Sequence, residues 1–206
     1  MDGSRPLHSI QEGRDMRDTI GLNGCDGTMI TSSGRYFNVL EPDPALIEIE
    51  DIAAALSRIC RFGGHTKIFY SVAEHSVLAA HHAWNHGEGL PACRAILLHD
   101  ATEAYLGDVV KPLKNAIADV YGPIEKRMSD AIGERFDIDF DAYHDVIKRY
   151  DYAMLFAEKR ALFPEDATEW AGQDEHDLGF TVEPWRISFD DLETVFISQA
   201  DRLHIS

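Results

Sequence analysis

Residues 95–108 read AILLHDATEAYLGD, and this stretch decides the fold. Pro91 opens a helix four residues earlier, and the apolar spacing of Ala95, Leu98 and Ala101 carries it to about Leu106, where Gly107 stops it. Within that helix His99 and Asp100 follow directly on an apolar turn. Burying an imidazole and a carboxylate at a core edge costs several kcal/mol unless they are paired or metal-bound. Glu103 lies i+4 from His99 and i+3 from Asp100, near the same helix face, and Asp108 follows the glycine break. So many lone pairs in one and a half turns call for a cation or a bound water.

The His-Asp dipeptide alone carries no weight, because it occurs three times in a chain with 10 histidines. His176-Asp177 falls in an acidic loop and reads as solvated. His144-Asp145 falls in the first turn of a long helix, where an acid is favoured by the helix dipole. Only His99-Asp100 has an apolar context. Two further residues share that property. His75 sits beside Ala73, Val77 and Leu78, and Asp151 interrupts the apolar run around Met154 and Leu155. Two imidazoles and two carboxylates suit Mn, Co, Fe, Zn or Mg, with positions left open for water and phosphate. His81, His82 and His86 form a second cluster, but they close a helix before Gly87, where the dipole favours histidine; Trp84 beside them reads as packing.

Outward from this centre the chain reads as mostly α, in a single domain. Residues 1–27 are polar and aperiodic, a flexible arm; residues 28–39 read as a hairpin turning at Ser32-Ser33-Gly34. Residues 45–163 are helical, with Leu46, Ile49, Ile52, Ala53, Leu56 and Ile59 on one face of the first helix. Ser71 and Glu74 read as a capping box, Glu74 reaching back. Further helices follow Pro112 and Pro123, and a long one covers about 141–163. Residues 164–187 are an acidic loop, and 188–204 a final helix.

The 206 residues are 45% hydrophobic and 27% charged, an ordinary globular balance. Acids outnumber bases 36 to 19, for a net charge of -17, which repels nucleic-acid polymers but not a small anion held by local bases. No apolar run approaches a membrane span, and no secretory signal opens the chain. Cys25, Cys60 and Cys93 are too few and too scattered for a disulfide or thiolate scaffold, which fits a reducing cytoplasm.

The order His75, His99-Asp100, Asp151 resembles the H…HD…D signature of the HD superfamily of metal-dependent phosphohydrolases. Ala73-Glu74-His75-Ser76, His99-Asp100-Ala101-Thr102-Glu103, and Gly107-Asp108 followed by Pro112-Leu113-Lys114 narrow it to the YfbR-like 5′-nucleotidase branch. Ser57 to His65 resembles that branch's arginine–aromatic element, and the likeness covers about residues 50–163. It implies an HD-type helical bundle that hydrolyses nucleoside 5′-monophosphates, deoxyribonucleotides foremost, and assembles as a homodimer. It implies that His75, His99, Asp100 and Asp151 bind one divalent ion. Glu103 would position or deprotonate water, and Asp108 would orient substrate or protonate the leaving oxygen. Arg61 would clamp phosphate bidentately, helped by Lys111 or Lys114. Phe62 stands where the family often has tryptophan, so the sugar preference is open. Arg58 and Lys114 also read as ordinary ion-pairing or solvated helix residues. A triphosphate, cyclic-nucleotide or alarmone hydrolase on the same site, and a nucleotide-binding regulator without turnover, are the competing readings. A di-iron oxygenase would need ligands that the sequence does not offer.

Overall fold

The computed structural model describes residues 27–165, 170 and 172–206. The expected arm, apart from Gly27, and part of the acidic loop lie outside these. The fold is helical with one small hairpin, as expected. Strands β1 (Thr28–Ile30) and β2 (Tyr36–Asn38) pair antiparallel, with Met29 opposite Phe37. Gly34 closes the turn at φ 82°, a left-handed conformation that glycine adopts freely. Phe37 is fully buried and stacks on Tyr105 at 4.5 Å, so the hairpin packs beside the stretch that follows His99-Asp100.

Helix α1 (Ile49–Arg58) anchors that hairpin through Asp51. Its carboxylate accepts from Ser32 Oγ at 2.6 Å, Ser33 N–H at 2.7 Å and Ser33 Oγ at 2.8 Å. Burial alone would raise the Asp51 pKa, but these donors outweigh it and hold the carboxyl below its usual range. A depressed folded pKa means stability that is present above the unfolded value and lost as pH falls through the folded one. Asp51→Ala is therefore expected to cost about 2–3 kcal/mol at pH 7, a penalty that shrinks below about pH 4. Urea unfolding at pH 7, 5 and 3 checks this; a penalty independent of pH would contradict it.

After α1 the chain runs through α2 (Val72–Asn85), α3 (Leu90–Leu97), α4 (Glu103–Leu106), α5 (Lys111–Ala116), α6 (Ala118–Phe136), α7 (His144–Leu162), α8 (Gln173–His176) and α9 (Phe189–Arg202). Ile52, Ala53 and Leu56 of α1 are buried, and α9, with Leu192, Phe196 and Ala200 also buried, packs against α1. Arg58 joins the two through Glu193 at 2.9 Å and Asp190 at 3.2 Å, the ion-pair role its sequence suggests. Helix α2 packs on α3, and α7 lies across both. No helix among the described residues is long and apolar enough to cross a membrane.

Several local expectations are corrected. The helix read from Pro91 to Leu106 breaks at 98–102. There the bonds tighten to i→i+3, from Ala101 N–H to Leu98 O and Glu103 N–H to Asp100 O. The His99 ring bonds the Ile96 carbonyl at 2.7 Å, the acceptor that a continuing α-helix would have offered to Asp100 N–H. Helix α6 starts at Ala118 and carries Pro123 inside it. Pro123 forgoes only the bond to the carbonyl of Asp119, an exposed residue. Ser71 Oγ does cap α2, accepting from Glu74 N–H at 3.0 Å, but the Glu74 carboxylate does not reach back. It accepts from Trp185 N–H at 2.6 Å and ties the segment before α9 to α2. Burial pushes the Glu74 pKa up to about 7. Asp177 is an ion-pair partner of Arg160 rather than solvated, and its His176 neighbour sits against Tyr152. His82 stacks on Phe180 at 4.0 Å, a packing role, whereas Trp84 is 51% exposed and does not pack inward.

Candidate metal centre and active site

Four side chains from three elements converge. His75 comes from the first turns of α2, His99 and Asp100 from the tightened turn after α3, and Asp151 from α7. His75 Nε2 lies 3.3 Å from His99 Nε2, 3.6 Å from Asp100 Oδ2 and 3.5 Å from Asp151 Oδ1. His99 Nε2 lies 3.2 Å from Asp100 Oδ2 and 3.8 Å from Asp151 Oδ1. Donors about 2.1 Å from one ion stand roughly 3.0–3.4 Å apart in octahedral or tetrahedral arrangement, so the spacing fits a shared cation with small adjustment. His75, His99 and Asp151 alone form a group that can hold a metal ion. The electrostatics agree. Burial alone would lower the His99 pKa, but Asp100 and Asp151 outweigh it and push it up to about 10. The two imidazoles hold both carboxyls well below their usual range against the opposing effect of burial. The centre favours positive charge.

The outer shell fixes the imidazoles. His99 Nδ1 is engaged by the Ile96 carbonyl, and His75 Nδ1 by Glu158 Oε1 at 2.6 Å, which leaves both Nε2 atoms facing the centre. Glu158 is fully buried, and its second oxygen meets Arg61 Nε at 3.2 Å and Nη2 at 3.1 Å. Arg61 Nη1 continues to Asp100 Oδ2 at 3.3 Å. Burial would raise the Glu158 pKa, but Arg61 and His75 bring it down. Arg61, read from sequence as a phosphate clamp, is 8% exposed and tied to two carboxylates, though it still lines the cavity. Glu158 was not among the sequence candidates. A signal existed: it lies seven residues after Asp151 on the same helix face, directly after Phe156-Ala157.

A cavity of about 700 Å³ opens on the centre. Glu103 lines it, and its Oε2 is buried without a hydrogen-bond partner among the described residues. Burial, with Asp100 and Asp108 nearby, pushes the Glu103 pKa well up. Asp108 accepts from Phe62 N–H at 3.1 Å, and burial raises its pKa too. That bond secures an unusual turn. Phe62, Gly63 and Gly64 have φ of 57°, 59° and 80°, left-handed in succession, and for phenylalanine the strain is about 1–3 kcal/mol. The Phe62 ring meets Phe163 edge-on at 5.2 Å and, with Trp170, walls the cavity. Lys114 also reaches the cavity, paired with Glu125 and above the Tyr121 ring.

The fold and the site together define a helical protein with a His/Asp group that could hold a metal ion. No family model matches the chain. It is 37% identical over 142 residues to the uncharacterized protein YfdR of Escherichia coli (strain K12), covering 68% of this chain and 75% of YfdR. The chain belongs to the family of YfdR. It is also 43% identical over 110 residues to an uncharacterized protein of Rhodobacter capsulatus, across 52% of this chain and 56% of that protein.

Proposed function

We propose that this chain is an HD-type metal-dependent phosphohydrolase that releases phosphate from a nucleoside 5′-phosphate, the monophosphate being the substrate the resemblance implies. The observation that carries the proposal is that Asp100 and Asp151, which line the cavity, each stand 3.2–3.8 Å from the Nε2 atoms of His75 and His99, themselves 3.3 Å apart. His75, His99, Asp100 and Asp151 would hold the divalent ion. Such an ion supplies a Lewis acid that neutralises phosphate charge and makes water more acidic.

The remaining steps belong to side chains. Glu103, whose buried Oε2 has no hydrogen-bond partner among the described residues, receives the proton of the attacking water as the new P–O bond forms. Asp108, which lines the cavity and accepts from Phe62 N–H, orients the substrate or assists protonation of the leaving oxygen as the old P–O bond breaks. Arg61 keeps Asp100 and Glu158 in place and turns its remaining donors to phosphate. Phe62 and Trp170 exclude water beside the nucleoside.

The test is a panel of nucleotides incubated with protein loaded with Mn, Co, Zn, Fe or Mg, with free phosphate assayed. Orthophosphate release that disappears on chelation is expected. Tight nucleotide binding without release under every metal would make the protein a binding regulator instead.

A further inference from the structure

Helix α5 is turned the wrong way for a surface helix. Lys111, Lys114 and Asn115 stand at i, i+3 and i+4, and all three line the cavity. Leu113 on the other side is 52% exposed. Burial of apolar area would favour the reverse arrangement. Although Lys111 and Asn115 are themselves exposed, the face of α5 that fronts the cavity is basic and polar, as a face that meets an anionic ligand would be.

The amines are also arranged in order from the metal centre. Lys148 Nζ is 3.4 Å from Asp151 Oδ2, immediately beyond the candidate metal ligands. Lys148 and Lys111, from different helices, both approach the Tyr152 ring, at 6.0 and 5.9 Å from its centroid. Lys114 follows one turn along α5. Among the described residues Lys111 has no carboxylate within ion-pair distance, and Lys148 has only Asp151. Once Asp151 shares its charge with a cation, neither amine keeps a full counter-charge. Two ammonium groups over one ring repel unless an anion lies between them. This happens in a chain whose acids outnumber its bases 36 to 19.

We propose that Lys111 and Lys148, beside Tyr152, form a subsite for a second phosphate of the substrate, next to the phosphate that is cleaved. The proposal rests on the phosphohydrolase reading and extends it from one phosphate to a substrate carrying at least two. The second group is either the next unit of a 5′-polyphosphate chain or a phosphate on the 3′-oxygen of the sugar. Both present the same dianionic oxygens to the amines.

The experiment compares nucleoside 5′-monophosphates, 5′-triphosphates and 3′,5′-bisphosphates. Turnover is followed as kcat/KM, and binding by equilibrium dialysis with the metal counted in each half-cell. The full chain is used as wild type, Lys111→Ala, Lys148→Gln and the double variant, with Lys126→Ala as a control outside the cavity. Metal content and thermal midpoint confirm that each variant is intact. The wild type is expected to prefer one of the two-phosphate classes over the monophosphate by about 10-fold or more. Each cavity variant should cut that preference by about 10-fold, and Lys126→Ala should leave it alone. The class that shows the preference identifies the source of the second phosphate. Equal handling of all three classes by the wild type, or variants that lower all three equally, would overturn the subsite. Lysine-dependent tight binding with no turnover would sustain the subsite and defeat the hydrolase. Turnover of monophosphate alone would do the opposite.

Discussion

Asp151→Ala is expected to lose the divalent ion and lower turnover by roughly 10³-fold or more. Glu103→Ala is expected to keep the ion and lose about 10²–10⁴-fold in kcat. The contrast follows from where each carboxylate lies. Asp151 Oδ1 is within 3.8 Å of both imidazole Nε2 atoms, and its anionic form is held by them. Removing it takes away one of the negative charges that favour a cation there. Glu103 lines the same cavity, but its unpartnered oxygen is not among the atoms that converge with the imidazoles. The measurements are metal per chain after dialysis and phosphate released per minute. Unchanged metal and turnover in Asp151→Ala would remove it from the ligand set. Lost metal in Glu103→Ala would make Glu103 a ligand rather than a base.

The sequence made some of this geometry visible and hid the rest for physical reasons. His99, Asp100 and Asp151 were legible because each puts a polar group into an apolar run, where solvation is lost unless something replaces it. Glu103 was found by helical spacing, although no continuous helix carries it. The apolar spacing of Leu98 and Ala101 runs straight through the break, so periodicity gives no sign that a ring nitrogen takes the Ile96 carbonyl. Glu158 was hidden by its neighbours. Lys159 and Arg160 follow it, and a mixed charge run near a helix end reads as a solvated face. Arg61 enters the sequence reading through the resemblance alone, because its partners come from α7 and from the turn after α3, both distant in sequence. The orientation of α5 was beyond reach because the apolar and basic faces of six residues can be swapped without changing the pattern.

Glu158→Gln is expected to weaken metal binding by about 10–100-fold and to destabilise the fold by about 3–5 kcal/mol. Glu158 is fully buried and meets both His75 and Arg61, so its charge serves the site and the fold at once. Glutamine keeps the shape, but it leaves the buried Arg61 guanidinium with Asp100 as its remaining close carboxylate. Arg61 then draws harder on Asp100, one of the four candidate donors. The two effects separate in a double variant. Arg61→Met combined with Glu158→Gln removes the unpaired charge, so stability should recover relative to Glu158→Gln alone. Metal affinity should not recover, because the carboxylate that holds the His75 ring is still missing. Urea unfolding gives the first quantity and chelator competition the second. Recovery of both in the double variant would mean that Glu158 serves only to neutralise Arg61.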